Sequence, residues 1–373
     1  MKPARILVVD DEPGMLHAVR RVLSSQHQVA EATSASQALA LLHTFDPELA
    51  ILDVRMPEMD GFELTARLKR ERPELDVILM TGSVTELDAK LVRAIRENAF
   101  YFVQKPFDRE VLTTLVERCV ELRRLSEENR RHMRRMEAEL GHARAFQETL
   151  LPPRQGRVEG LSIACRYDPC YEMGGDCVDY AAAGAGRAAL LIADVSGHGV
   201  SAAMLTGLVK SAFRSPRDGG LEPLAVVQRL WDSLASFGDE RFVTLICAVV
   251  DVAGGRMEYV NAGHPAGLLW DEAGPIRLLP ATGPLVSAAL PGLVWDKETV
   301  EFAAGTKLLF YTDGITDVFG GDEYFGPERI EEEVLRTRGG GPPLLDGLTE
   351  ALRLHAGGRP RSDDWTLLTA GAR

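Results

Sequence analysis

RILVVDDEP, residues 5–13, is a β-favouring apolar run closed by two aspartates and a Glu-Pro pair. LAILDVRMPEMDG, residues 49–61, repeats the arrangement: an apolar run ends on Asp53 and turn residues follow. Working outward from these, QVAEA (28–32), DVILMT (76–81) and FYFVQ (100–104) read as further strands. Helical patterns fill the gaps at 15–24, 36–44, 61–70 and 86–97, and Asn98 is placed to close the last in the left-handed conformation that Asn tolerates. Alternating β and α segments of this length predict a doubly wound α/β domain over residues 1–118, with a parallel sheet covered by helices on both faces. Such sheets bind ligands at the carboxyl ends of their strands. Asp10 and Asp11 follow the first strand, Asp53 ends the third, Thr81 ends the fourth and Lys105 follows the fifth. Each alone is an ordinary turn residue, but five meeting at one sheet edge predict a site, and its carboxylates suit a hard divalent cation.

Together VVDDEP (8–13), ILDVRMPEMDG (51–61), MTG (80–82) and QKPF (104–107) resemble the response-regulator receiver domain across the whole of residues 1–118. The resemblance implies a five-stranded, flavodoxin-like parallel sheet. It makes Asp53 the phosphoacceptor, with Asp10, Asp11 and Asp53 around one Mg²⁺, Thr81 and Lys105 on the phosphoryl oxygens, and Phe102 as the switch aromatic. The chemistry agrees, since a carboxylate nucleophile needs a metal and a cation to offset charge during in-line transfer. The implied phosphodonor is a sensor histidine kinase.

A chain of 373 residues has room for two or three domains. Its net charge of −13 argues against nucleic acid and anionic membrane as partners. No apolar run approaches the roughly 20 residues of a membrane span, and the first strand begins too early for a signal peptide. The five cysteines form no CxxC pair or disulfide framework, so reduced thiols in a cytoplasm are expected.

From Leu112 to Leu150 apolar or small residues recur at alternating steps of three and four, interrupted by Ser126, Asn129 and Gln147. Flanks dense in Arg and Glu complete a heptad pattern, which predicts a coiled-coil linker helix over 119–151 joining two protomers as a homodimer. The basic RRHMRR stretch (130–135) belongs to those flanks, because its charges alternate with acids and no aromatic accompanies it. Pro152 and Pro153 end the helix.

Beyond Pro153 strand-like runs dominate: LSIACRY, AALLIADV, TLICAVVDV, RMEYVNA, AGLLW, TKLLFYTDG and WTLLTA. Helical stretches interrupt them at 199–213, 221–237 and 328–355, and GAGRAA (184–189) reads as a hairpin turn. This predicts an α+β domain, 152–373, with two packed, mainly antiparallel sheets flanked by helices. Four acidic turns stand out: Asp176 in MGGD, Asp194 in ADVSGHG, Asp313 in YTDG and Asp363 in SDDWTLL. Dispersed carboxylates without a His or Cys cluster argue against zinc. They suit two Mn²⁺ or Mg²⁺ ions, which can present a hydroxide to phosphorus.

In order and spacing, FQETLLPP (146–153), MGGD, ADVSGHG, YVNAGHP, YTDGITD and SDDWTLL resemble the PPM/PP2C serine/threonine phosphatases of the sporulation and stress-response branch. By that resemblance Asp194 is the bridging ligand with the Val195 carbonyl beside it. Asp313 and Asp363 are ligands of the other metal, and Asp176 is the acidic residue beside the centre, with Asp176 and Asp194 the catalytic pair. Asp363 is preferred over Asp364 as ligand. His198 and His264 read mainly as loop supports. Cys177 and Val178 replace the family's usual aromatics, which puts substrate-side packing in doubt. The combined expectation is a two-component response regulator in which phosphorylation at Asp53 controls hydrolysis of phosphoserine on a partner, an anti-sigma-factor antagonist by resemblance. The competing expectation is a phosphorylation-controlled binding adaptor with a silent phosphatase-like domain.

Overall fold

The computed structural model describes residues 3–82, 101–215, 221–237, 241–272, 274–289, 292 and 294–372; the helix expected at 86–97 and Asn98 lie outside them. The chain forms two compact units, Met1–Met136 and Glu137–Arg373.

In the first unit β1 (Arg5–Val9), β2 (Gln28–Ala32), β3 (Leu49–Asp53), β4 (Asp76–Thr81) and β5 (Tyr101–Gln104) pair in parallel in the order β2-β1-β3-β4-β5. Helices α1 (Pro13–Leu23), α2 (Ala35–Thr44) and α3 (Gly61–Glu71) alternate with them. Their starts follow from local chemistry: the Ser34 hydroxyl accepts from the Gln37 N–H, Asp60 accepts from the Glu63 N–H, and Pro13 occupies the first turn. One apolar core lies on each face of the sheet. The strand order reverses at β1 and β3, so Asp10 and Asp53 emerge side by side.

Helix α4 (Arg109–Leu150) is continuous through the expected linker. The first turns of the expected heptad seam are not free for a partner. Leu112, Val116, Cys119 and Val120 are buried in the core of the first unit, on the stripe that a helix covering a sheet uses. Further on, Leu122, Leu125, Met133 and Met136 stand exposed. Arg123, which the heptad reading places on a solvated flank, instead has a side chain only 13% exposed. Its Nη1 donates to the carbonyls of Glu48, at 3.1 Å, and Glu74, and lies 3.7 Å from Asp76.

The second unit is a four-layer sandwich. Its strands are β6 (Gln155–Val158), β7 (Leu161–Asp168), β8 (Asp176–Ala182), β9 (Arg187–Val195), β10 (Phe242–Asp251), β11 (Arg256–Ala262), β12 (Gly267–Trp270), β13 (Arg277–Leu279), β14 (Val286–Ser287), β15 (Glu298–Glu301), β16 (Lys307–Tyr311) and β19 (Trp365–Ala372), with the short hairpin β17 (Phe319–Gly320) and β18 (Glu323–Tyr324) set apart. One antiparallel sheet runs β15-β11-β10-β9-β8, with β14 on β10; the other runs β13-β12-β16-β19-β7-β6. A core that includes Leu190, Ile192, Tyr259, Phe310 and Leu368 fills the space between them. Helices α5 (Val200–Arg214) and α6 (Pro223–Phe237) cover the outer face of the first sheet. Helices α8 (Gly326–Thr337) and α9 (Pro342–Ala356) cover the second, and a single turn, α7 (Asp313–Thr316), follows β16.

Two local expectations change. The stretch 328–355 is two helices, parted where Arg338 and Gly341 take positive φ. The TKLLFYTDG run stops as strand at Tyr311, because Asp313 opens a helical turn. The hairpin at 184–186 closes as expected, with the Ala183 N–H donating to the Arg187 carbonyl at 2.7 Å.

Removing the Arg123 guanidinium leaves the Glu48 and Glu74 carbonyls, just before β3 and β4, and the half-buried Asp76 without their donor. Arg123→Ala is therefore expected to destabilise the first unit by about 2–3 kcal/mol, measured as a lowered midpoint of its urea transition. An unchanged midpoint would show that the pairing adds nothing.

Candidate functional site

Two carboxylate centres emerge, one in each unit. In the first, Asp10, Asp11 and Asp53 each place one oxygen within 4.8 Å of the others; among the described residues no other His, Cys, Asp or Glu group gathers so tightly. Asp10 is fully buried and Asp53 nearly so. The Glu12 N–H holds Asp10 at 3.0 Å and the Arg55 N–H holds Asp53 at 3.0 Å. Lys105, carried on the turn after β5, sets its Nζ 2.6 Å from both Asp10 and Asp53. Burial raises the Asp10 pKa despite that bond. Burial also opposes the Lys105 charge, but its bonds to Asp10 and Asp53 outweigh this and raise its pKa. Thr81 is buried at the end of β4. Phe102, on β5, is half-buried with its ring centroid 6.4 Å from that of Phe62. Any side chain on Gly61 would collide with the Asp53 carbonyl, so glycine is required where α3 begins.

In the second unit the register places Asp176 on β8 directly opposite Asp194 on β9. Like charges opposite one another oppose folding. Asp176 is almost fully buried. Its Oδ2 accepts from Thr312 Oγ1 at 2.8 Å and from Thr366 Oγ1 at 2.5 Å, both reaching across from the other sheet. Burial, then the neighbouring Asp194, push the Asp176 pKa well up. Burial, followed by Asp313, Asp363 and Asp364, pushes Asp194 up to about 7. Asp313 and Asp363 are raised too, burial being the first cause in each. Such mutual elevation is what a cation among them would relieve, and an all-oxygen donor set fits Mg²⁺ or Mn²⁺.

The neighbours Asp363 and Asp364 differ sharply. Asp363 is exposed. Asp364 is buried, and its carboxylate accepts from the N–H groups of Cys170 at 2.7 Å and Gly175 at 2.8 Å, so it holds the loop that precedes Asp176. A Cβ on Gly175 would lie 2.7 Å from the Val195 carbonyl, and one on Gly314 would overlap the Asp364 carbonyl. These glycines allow three backbone segments to converge. His198 is exposed at the rim, its ring centroid 5.1 Å from that of Tyr171, and its positive form would lower the Asp363 pKa. His264 is buried, bonded through Nδ1 to Thr244 Oγ1 at 2.8 Å, and burial holds its pKa down to about 3. Thr244 in turn pairs with Asp194 across β10 and β9. Cys177 and Val178 point into opposite apolar cores, so their departure from aromatics alters core packing rather than a substrate surface.

Sequence reasoning missed Thr312, Thr366 and the role of Asp364. Each sits beside a candidate ligand in YTDG or SDDWT, but only the strand pairing shows that they converge on one carboxylate and one loop. It also missed the contacts made by the last turn of α4. Gln147 is buried and donates through Nε2 to the Gly174 carbonyl at 2.7 Å. Lys210 Nζ donates to the Leu150 carbonyl and lies 3.2 Å from Asp179, which Arg214 grips with two bonds of 2.6 and 2.7 Å.

The family model for stage II sporulation protein E (SpoIIE) matches residues 184–373, just over half of the chain. The chain belongs to the SpoIIE family. In this SpoIIE-family chain the response regulator receiver model matches residues 6–117. The phosphoserine phosphatase RsbP of Bacillus subtilis is 33% identical over 162 residues, covering 42% of this chain and 40% of RsbP. Protein IcfG of Synechocystis is 28% identical over 273 residues, covering 65% of this chain and 43% of IcfG. The chain thus spans less than half the length of these curated relatives. The solved SiaA-PP2C domain of Pseudomonas aeruginosa superposes with a TM-score of 0.56 at 22% identity, over 64% of this chain and 97% of that domain, a likeness of fold. The protein is a receiver domain joined to a PP2C-type domain.

Because Asp176 faces Asp194 from a buried position, its ionisation costs stability in the metal-free fold. The cost is absent below the ordinary carboxylate range and grows as pH rises through about 7, where Asp194 also ionises. Asp176→Asn keeps an acceptor for the two threonines and removes one charge. It is expected to raise the metal-free melting temperature at pH 8 by roughly 3–8 °C, with a smaller gain at pH 5. Equal melting temperatures at pH 8 would mean that the facing charges do not strain the fold.

Proposed function

We propose that this chain is a metal-dependent phosphoprotein phosphatase whose activity is set by phosphorylation of its receiver. The observation that carries the reading is the convergence of Asp176, Asp194, Asp313 and Asp363 at one end of the sandwich, with their ionisation opposed by one another. Asp194, Val195 through its carbonyl, Asp313 and Asp363 are assigned as metal ligands, and Asp176 as the acidic residue beside them. Two Mn²⁺ or Mg²⁺ ions bound there would supply a hydroxide nucleophile and offset charge on the phosphoryl oxygens. The chain's own contribution is positional. Thr312 and Thr366 fix the Asp176 carboxylate, Asp364 fixes the backbone of the loop before it, and His264 braces the strand beside Asp194. His198, at the rim beside Tyr171, is assigned to the substrate side of the site.

In the receiver, Asp53 is assigned as phosphoacceptor, with Asp10, Asp11 and Asp53 around one Mg²⁺ and a histidine kinase as donor. Lys105, bound to both Asp10 and Asp53, already supplies the cation that an incoming phosphoryl group needs. Thr81 and Phe102 are assigned to the phosphoryl oxygens and to the switch. We keep the partition into receiver (1–118), linker (119–151) and phosphatase domain (152–373), with a homodimer formed along the exposed stripe from Leu122 to Met136. The coupling route is the end of α4: Gln147 holds Gly174, two residues before Asp176, so displacement of the helix changes the loop that carries that carboxylate. A phosphoserine protein is the assigned substrate, in line with the name of RsbP; an anti-sigma-factor antagonist in a cytoplasmic partner-switching circuit is its finest form.

Three experiments test this. With Mn²⁺, pure protein should hydrolyse a phosphoserine peptide, and Asp194→Asn should reduce the rate by about a hundredfold or more; a wild type inactive in every receiver state would favour the adaptor. Beryllofluoride, which mimics a phosphoryl group on Asp53, should change that rate in the wild type but not in Asp53→Ala. Sedimentation should show a dimer that Met133→Glu weakens; equal rates with and without the mimic would sink the coupling.

A further inference from the structure

Three arginines fall within the nine residues 353–361 of a chain whose net charge is −13. Arg353 sits in the last turn of α9, and Arg359 and Arg361 on the loop leading to Asp363. With Asp168 and Trp365 they line a cavity of about 390 Å³ in the second unit. Two of the guanidiniums are held in place without using a carboxylate. Arg361 donates to the carbonyls of Asp168 at 3.1 Å and Pro169 at 3.0 Å, and lies 5.1 Å from the centroid of the Trp365 ring. Arg359 donates to the Gly321 carbonyl at 3.3 Å and lies 5.2 Å from the centroid of Phe319. Among the described residues none of the three makes an ion pair. Asp168 contributes one opposing carboxylate, and the carboxyl end of α9 a partial negative charge, which Arg353 offsets. The balance stays positive.

The cavity adjoins the carboxylate centre. Cys170 links them: its Sγ donates to the Arg361 carbonyl at 3.1 Å and its N–H to Asp364 at 2.7 Å. A planar guanidinium stacked on an aromatic ring and tethered to carbonyls loses little further freedom on binding, and its fork matches a carboxylate. We propose that this arginine-lined cavity is a docking site for a carboxylate-rich segment flanking the phosphoserine of the protein substrate. The inference rests on the phosphatase reading for its biological occupant. It explains why a strongly acidic chain keeps a patch of unpaired arginines one loop away from its acidic centre: the centre repels an acidic partner until metal binds, and the patch supplies the compensating attraction.

The test uses the full-length chain in EDTA, so that nothing is turned over, and a fluorescein-labelled phosphoserine peptide with a glutamate-rich flank or a glutamine-rich one. Fluorescence polarisation at low salt should show the glutamate peptide binding about tenfold tighter, and the double variant Arg353→Gln/Arg359→Gln should abolish most of that preference. Arg361 is left intact because its backbone is tied to Cys170. The same variant should hydrolyse p-nitrophenyl phosphate with Mn²⁺ at the wild-type rate, which shows that it folds. Equal affinity of the wild type for the two peptides, or a preference that survives in the variant, would overturn the proposal. So would displacement of the glutamate peptide by inorganic phosphate as readily as by unlabelled peptide, which would make the cavity a phosphate site. A wild type that hydrolyses nothing yet keeps the arginine-dependent preference would strike the phosphatase reading and uphold the docking site.

Discussion

Asp176 and Asp194 face each other on neighbouring antiparallel strands at the edge of a buried sandwich, and the second unit is arranged around keeping them there. Two carboxylates in register, one of them inaccessible to water, oppose the packing that holds them. Among the described residues the fold answers with hydroxyl and backbone donors. Thr312 and Thr366 cross from the opposite sheet to one oxygen of Asp176, while Asp364 turns inward to bind the backbone of the preceding loop. Glycines at 174, 175 and 314 then follow from crowding, since a side chain at any of them would strike the carboxylate or a backbone carbonyl.

The receiver resolves the same difficulty in the opposite way. Its Asp10 and Asp53 are also buried together, but Lys105 is built between them. A resident ammonium lets this pocket hold its carboxylates close enough for three ligand oxygens to lie within 4.8 Å. Among the described residues no Lys or Arg pairs with Asp176, Asp194, Asp313 or Asp363, and no three of these carboxylates gather within 4.8 Å. On the proposed reading, one centre is preorganised for an anion to arrive and the other is held in readiness for cations. The long helix α4 serves both, donating its first turns to the receiver core and its last, through Gln147, to the loop beside Asp176.

Much of this was legible in the residues. The parallel alternation of the first 118 residues, the strand ends bearing Asp10, Asp53 and Lys105, and the order of the four acidic turns all follow from pattern and turn chemistry. What escaped was set by partners far away in the chain. Arg123 reads as a solvated heptad flank, yet it is half-buried because the backbone leading into β3 and β4, at Glu48 and Glu74, comes up against it. Leu112 and Cys119 fit a dimer seam and a receiver core equally well by spacing, and only the sheet beside them chooses the core. Thr366 is one more polar residue in a strand until β19 brings it beneath Asp176.

The sequence by itself determined the two domain types, the family and the chemical character of each centre, because those depend on local periodicity and on which side chains end which strands. The tertiary structure decided which neighbour does what: Asp363 is exposed while Asp364 is spent on backbone N–H groups, and Gln147, a defect in a heptad, is the grip of the linker on the loop. A carboxylate or an amide has the same chemistry at every position in a chain. What it is used for depends on which donors the fold brings within about 3 Å of it and how much water the fold removes.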